Sequence, residues 1–294
     1  MQDVVSVLEQ YPLLFIACVA LLSLIIGSFL NVLIYRLPIM MEREWQQEYQ
    51  AYFTPDAAEA DKTPERFNLA VPRSACPHCK APVLARDNIP VLSWLLLKGK
   101  CRSCSAPISA RYPLVELLTA VLSATVAWQL GFGALAAVFI FTTWILIALT
   151  FIDIDKMLLP DQLTLPLLWL ALLFSLSDAA LVSPAQALTG AAVGYLSLWS
   201  VYWLFKLLTG KEGMGYGDFK LLAVFGAFLG WQQLPLIILL SSVVGAVVGI
   251  TLLTIQGKDK ATPIPFGPYI AAAGWIALLW GEQLTQGYLR YLGL

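Results

Sequence analysis

The stretch "PLLFIACVALLSLIIGSFLNVLIYRLP" (12–38) carries no charge before Arg36. About 20 consecutive apolar residues suffice to span a bilayer as a helix. In hydrocarbon, every backbone N–H and C=O must be satisfied within the chain, which leaves only helices and closed barrels. This run is too long for the apolar core of a signal peptide and has no small-residue cleavage pattern after it, so it reads as a retained helix. Similar runs recur to the end of the chain. Hydrophobic residues make up 59% of the sequence and charged ones 13%, against roughly 45–50% and ~25% in soluble domains. The 10 Trp, 11 Tyr and 14 Phe suit the aromatic belts of a membrane protein.

The expected fold class is an all-α polytopic membrane protein. Helices are predicted at about 11–35, 113–130, 134–152, 162–177, 187–208, 219–231, 234–256 and 267–284, giving about eight spans. The sixth, "LLAVFGAFLG", is short and glycine-broken. Between the first two lies a polar segment, 36–112, holding 11 of the 18 Lys and Arg. Cytoplasmic loops are enriched in Lys and Arg. Placing 36–112 in the cytoplasm and alternating eight helices puts Lys156, Lys206, Lys211, Lys220, Lys258 and Lys260 on the same side. Only Arg290 falls outside, and the amino terminus is expected outside too. The expected organisation is a first transmembrane helix (1–35), a cytoplasmic module (36–112) and a membrane core (113–294).

Four of the five cysteines form Cys76-Pro-His-Cys79 and Cys101-Arg-Ser-Cys104. Two such pairs about 20 residues apart read as a zinc site. A two-residue spacer lets both thiolates of a pair reach one tetrahedral ion. Persistent disulfides do not suit a reducing cytoplasm. Four thiolates close the site, so the Zn2+ is expected to be structural, with His78 a knuckle residue rather than a ligand. Cys18, alone in the first helix, is expected to serve packing. "NIPVLSWLLLKGK" (88–100) is too short to span and should lie on the membrane face or pack against the helices. Residues 42–66 suggest an amphipathic or partly disordered excursion.

Carboxylates within apolar runs are costly and mark function by default. Asp161, in "LLPDQLTLP", reads as a helix N-cap. Glu116 suggests a local pair with Arg111 or snorkelling, and Glu282 an interfacial position. Asp153 and Asp155, in "TFIDIDKMLLP", diverge by ~200° on a helix. They therefore cannot form a dyad with each other, and Asp218 of "EGMGYGDFK" is the available partner on the same side. Two carboxylates sharing a proton can act as base and acid toward water and a peptide bond. Gly215 and Gly217 would give that segment unusual φ angles or a close backbone approach. On physics alone, Asp218 as a helix cap and Asp218 as a catalyst both stay open.

The ordered set "GSFLNVLIYRLP", the paired CxxC knuckles, "NIPVLSW", "RYPLVELLTA", "TFIDIDKMLLPDQLTLP" and "GMGYGDFKLLA" resembles the type IV prepilin peptidases over about residues 15–280. The resemblance implies a GxGD aspartyl protease core in 113–294. It makes Asp153 and Asp218 the catalytic pair, Asp153 rather than Asp155 for its distance to Pro160, with Gly215 and Gly217 supporting the motif. It also implies two reactions: cleavage of the short basic leader of prepilins and type II secretion pseudopilins at the cytoplasmic face, then N-methylation of the new terminus with S-adenosylmethionine. The expected location is a bacterial inner membrane. The expected partners are the prepilin and pseudopilin substrates and the lipid bilayer, and no nucleic acid. No Rossmann-type "GxGxxG" is present for the methyl donor; its site is expected near the cysteine module and the cytoplasmic helix ends. The complete cysteine set separates this chain from cysteine-free, peptidase-only relatives. An ion-coupled transporter using intramembrane carboxylates is the alternative.

Overall fold

The structure is a computed structural model and describes residues 2–53, 66–256 and 264–291. Among the described residues the fold is helical, with two isolated β-bridges and no strand. The segment expected to be an excursion falls partly outside them, at 54–65, as do Lys62, Lys258 and Lys260. The chain forms two compact units, Met1–Thr125 and Val126–Leu294.

The first unit holds α1 (Gln2–Gln10), α2 (Pro12–Phe53), a 3-10 turn (Ala85–Asn88), α3 (Leu92–Leu96) and the first part of α4 (Arg111–Leu130). The expected first span ends at 35, but α2 continues as one 42-residue helix to Phe53 and carries Pro38 inside it. At 1.5 Å per residue this is about 63 Å, some twice the hydrocarbon thickness. The polar half "MEREWQQEYQAYF" stays helical because Glu, Gln, Arg, Met and Ala are good helix formers. Cys18 is exposed on α2, which corrects the packing role expected for it. Inside the unit α2 and α4 approach closely at Gly27, where a Cβ would sit 2.7 Å from the Cα of Glu116.

The second unit holds the rest of α4, then α5 (Ala134–Lys156), α6 (Asp161–Phe174), α7 (Pro184–Thr209), α8 (Tyr216–Leu229), α9 (Leu234–Gln256) and α10 (Gly267–Tyr291). Every predicted range is occupied by a helix, and among the described residues five helices are long and apolar enough to cross a membrane. The short sixth range is α8. Its 14 residues reach only about 21 Å. Rather than facing lipid, α8 is the centre of this unit: residues 218, 219 and 221–228 are buried. A helix apolar all round belongs inside a core, and α8 packs against α6, α7 and α10. The α7–α8 crossing is tight, since a Cβ on Gly226 would lie 2.1 Å from the carbonyl oxygen of Gly190. Small residues that let backbones touch are the usual means of helix association in lipid. Trp275 on α10 donates to Thr143 on α5 at 3.0 Å and ties the last helix to the same core.

Candidate active site and metal centre

The helical twist separates Asp153 from Asp155 as expected. Asp153 is buried, 5% exposed, near the end of α5, while Asp155 is exposed. Asp218, also 5% exposed, is the third residue of α8. Its Oδ2 accepts the N–H of Gly215 at 3.2 Å; Gly215 occupies the N-cap position, so Asp218 is not the cap itself but reaches back to it from the first turn. Its Oδ1 is buried and has no hydrogen-bond partner among the described residues. Asp153 Oδ2 accepts the Gly267 N–H at 3.0 Å, from a residue 114 positions away that begins α10.

Leu159 packs these segments together. A Cβ on Gly217 would be 2.6 Å from the Leu159 Cβ, and one on Gly267 would be 3.1 Å from its Cδ atoms and 2.6 Å from Asp153 Oδ2. The two aspartates interact electrostatically. The end of α5 and the starts of α8 and α10 therefore meet at one point. Gly215 and Gly217 are not among the glycines with positive φ. The need for glycine at 217 is the close approach to Leu159, and of the two expected reasons only this one applies.

The surrounding polar groups hold the motif in place. Tyr216, inside "GYGD", packs its ring 5.3 Å from Tyr202 of α7 and 5.4 Å from Phe219. Lys206 Nζ binds Glu212 Oε1 at 2.8 Å, fastening the glycine-rich loop to the end of α7. Asp161 is not the expected N-cap: Pro160 occupies that position, and Asp161 is the first helical residue. Its carboxylate instead takes Lys220 Nζ at 2.6 and 2.7 Å. Lys220, read from sequence only as a marker of sidedness, thus joins the starts of α6 and α8. Glu282 is exposed and accepts from Gln286.

In the first unit the four cysteine Sγ atoms lie within 4.8 Å of one another. Cys76 and Cys104 are 3.8 Å apart, and Cys79 and Cys101 4.0 Å. Tetrahedral zinc with Zn–S bonds of ~2.3 Å requires sulfur separations of about 3.8 Å, so the residues fit a four-cysteine zinc site. His78 is exposed and not part of the cluster. The Cys79 and His78 N–H groups hold the Cys76 thiol down to about 6. Cys104 is pushed up to about 11: the Ala106 N–H pulls it down, and burial and the other thiols outweigh that. The knuckles are copies of one another. Lys80 and Ser105 both take φ near +60°, and the bridges Ala75–Pro82 and Lys100–Pro107 occupy equivalent places. Sequence reading by cysteine spacing missed the longer repeat "CPHCKAPV"/"CRSCSAPI", which was legible.

Two further residues hold the module in place. Arg36, buried on α2, donates to the Asn68 carbonyl at 2.8 Å and the Pro72 carbonyl at 2.5 Å, and lies over the Phe67 ring. Glu116, buried on α4, accepts the Val91 N–H at 2.7 Å and a Ser28 hydrogen bond. Buried in this way, it does not snorkel. Val91 has φ 60 and ψ −50, with Leu92 N–H on Pro90 O. This positive-φ γ-turn is rare and strained. The segment 88–100 thus packs against a helix, one of the two places expected for it.

Residues 21–130 match the family model described as Bacterial Peptidase A24 N-terminal domain, and 140–250 the Type IV leader peptidase family. A protein of Aeromonas hydrophila named prepilin leader peptidase/N-methyltransferase is 64% identical over 95% of both chains. Proteins with the same name from Pseudomonas aeruginosa (54%, 97% of both) and Xanthomonas campestris pv. campestris (50%, 98% of this chain and 99% of that one) are also similar. No solved structure matches the chain.

Proposed function

The chain belongs to the type IV leader peptidase family, and from that membership we propose that it removes the basic leader of prepilins and pseudopilins with Asp153 and Asp218, then methylates the new amino terminus. The observation carrying this reading is the meeting of two buried, interacting carboxylates at adjoining helix ends, one with an unpaired oxygen. Two carboxylates that share a site can hold one proton between them, one ionised and one protonated. The ionised one takes a proton from water as it attacks the scissile carbonyl, and the protonated one gives its proton to the leaving nitrogen. The hydroxyl oxygen ends on the leader's new carboxylate, and the mature chain leaves with a free amine.

That amine is the acceptor for the second reaction, with S-adenosylmethionine as methyl donor. In the cysteine module, Cys76, Cys79, Cys101 and Cys104 would hold Zn2+ with no open position, which gives it a structural role. Lys156, Lys206, Lys211 and Lys220 lie near the helix ends that carry the aspartates. This supports a cytoplasmic active site in a bacterial inner membrane, with the amino terminus outside. An ion-coupled transporter would place its carboxylates near the bilayer midplane, whereas these sit at helix ends.

The test is cleavage of a prepilin in proteoliposomes by Asp153→Asn and Asp218→Asn, each checked for folding and metal content. Either substitution should lower the rate about 10³-fold or more. If both variants still process the prepilin, the dyad reading is wrong.

A further inference from the structure

We infer that Gly267, the first residue of the last helix, is a positioning residue for Asp153, and that the amino-terminal end of α10 is part of the catalytic assembly. This rests on the reading of Asp153 as catalytic. Asp153 Oδ2 accepts the Gly267 N–H at 3.0 Å in a buried contact. Gly267 is buried and begins α10, so its N–H is one of the orphan donors that every helix leaves at its start. That end of the helix also stabilises negative charge. The contact therefore fixes the direction of the carboxylate and favours charge on Oδ2, which leaves the other oxygen for water and Asp218.

The absence of a side chain at 267 is equally required. A Cβ there would meet Asp153 Oδ2 at 2.6 Å and both Leu159 Cδ atoms at 3.1 Å, where 3.4 Å is ordinary contact. Leu159 cannot yield by moving away, because it also packs on Gly217, one residue from Asp218. The carboxylate must move instead, by about 0.8 Å (3.4 − 2.6). Misplacement of a reacting group by about 1 Å can cost ~10²-fold in rate. The sequence signal was the proline-flanked glycine of "PIPFGPY", opening a helix on the side of the aspartates.

The experiment compares the full chain with Gly267→Ala in proteoliposomes on a prepilin substrate, measuring kcat and KM separately. Gly287→Ala, on the same helix with nothing within 4 Å of its added Cβ, is the control. Gly267→Ala should lower kcat about 10- to 100-fold, leave KM within about threefold, and still methylate a pre-cleaved pilin. Gly287→Ala should match the parent. A parental kcat for Gly267→Ala overturns the inference. So does a joint loss of cleavage, methylation and thermal stability, which would indicate a merely structural contact. If Asp153→Asn is inactive while Gly267→Ala is not, only this inference fails; an active Asp153→Asn removes the dyad reading beneath it.

Discussion

Replacing Gly226 by alanine sets two effects of opposite sign against each other. On helix propensity alone, Gly→Ala inside α8 should stabilise by about 0.8–1.0 kcal/mol. The structure argues the reverse. A Cβ on Gly226 would sit 2.1 Å from the Gly190 oxygen and 2.5 Å from its carbonyl carbon, and one on Gly190 would meet the Gly226 oxygen at 2.0 Å. These are backbone atoms, so no rotamer change relieves the clash. Restoring ordinary contact at 3.4 Å requires α7 and α8 to separate by about 1.3 Å (3.4 − 2.1). Overpacking of this kind costs about 1–3 kcal/mol. With α8 buried against neighbours on several sides, the upper part of that range applies. The net expectation is a loss of about 2 kcal/mol, roughly a 30-fold change in the unfolding equilibrium. Unfolding by SDS titration of the detergent-solubilised protein, followed by tryptophan fluorescence, measures it. Gly287→Ala, free of contact, should be neutral or slightly stabilising in the same assay. If Gly226→Ala unfolds at or above the parental midpoint while Gly287→Ala behaves as expected, the tight α7–α8 crossing is refuted.

Metal analysis of Cys76→Ser/Cys101→Ser should show loss of bound zinc, and unchanged stoichiometry would defeat the four-thiolate assignment. Thiolates bind metal in competition with protons, so the zinc affinity measured against a competing chelator should weaken steadily as the pH is lowered; a pH-independent affinity would count against thiolate ligation. Arg36→Lys keeps the charge but cannot span the Asn68 and Pro72 carbonyls. It should cost about 1.5–3 kcal/mol, read as earlier proteolysis of the cysteine module, and a parental digestion pattern would show the clamp to be dispensable. Asp218→Asn should still methylate a pre-cleaved pilin, and failure with zinc retained would point to one shared site.

Much of this was legible because hydropathy reports lipid burial directly. The helix ranges, the cysteine cluster and the opposed placement of Asp153 and Asp155 all follow from periodicity or spacing. What escaped depends on contacts between distant segments. The proline-flanked glycine of "PIPFGPY" marks a helix start, but nothing local assigns its N–H to Asp153, 114 residues earlier. Arg36 counted only as a positive charge, although its buried guanidinium binds two loop carbonyls. Asp161 fits the N-cap pattern, but Pro160 takes the cap and Lys220 draws the carboxylate across to α8. Propensity carried α2 well past the end expected from hydropathy, since a helix ends where its backbone bonding ends and not where lipid does.

The shortness of α8 bears on how hydrolysis could occur beside a membrane at all. Asp218 is the third residue of its helix and Asp153 the fourth from the end of its own, so both lie within about one 5.4 Å turn of a helix terminus. A protease cutting at mid-bilayer must conduct water through some 15 Å of hydrocarbon and unwind its substrate there. On the reading that Asp153 and Asp218 are the catalytic pair, the reacting groups stand at helix ends rather than at the middle of a span. On that reading water arrives from the solvent side, and a substrate presents only an unwound juxtamembrane residue while its own membrane helix stays folded.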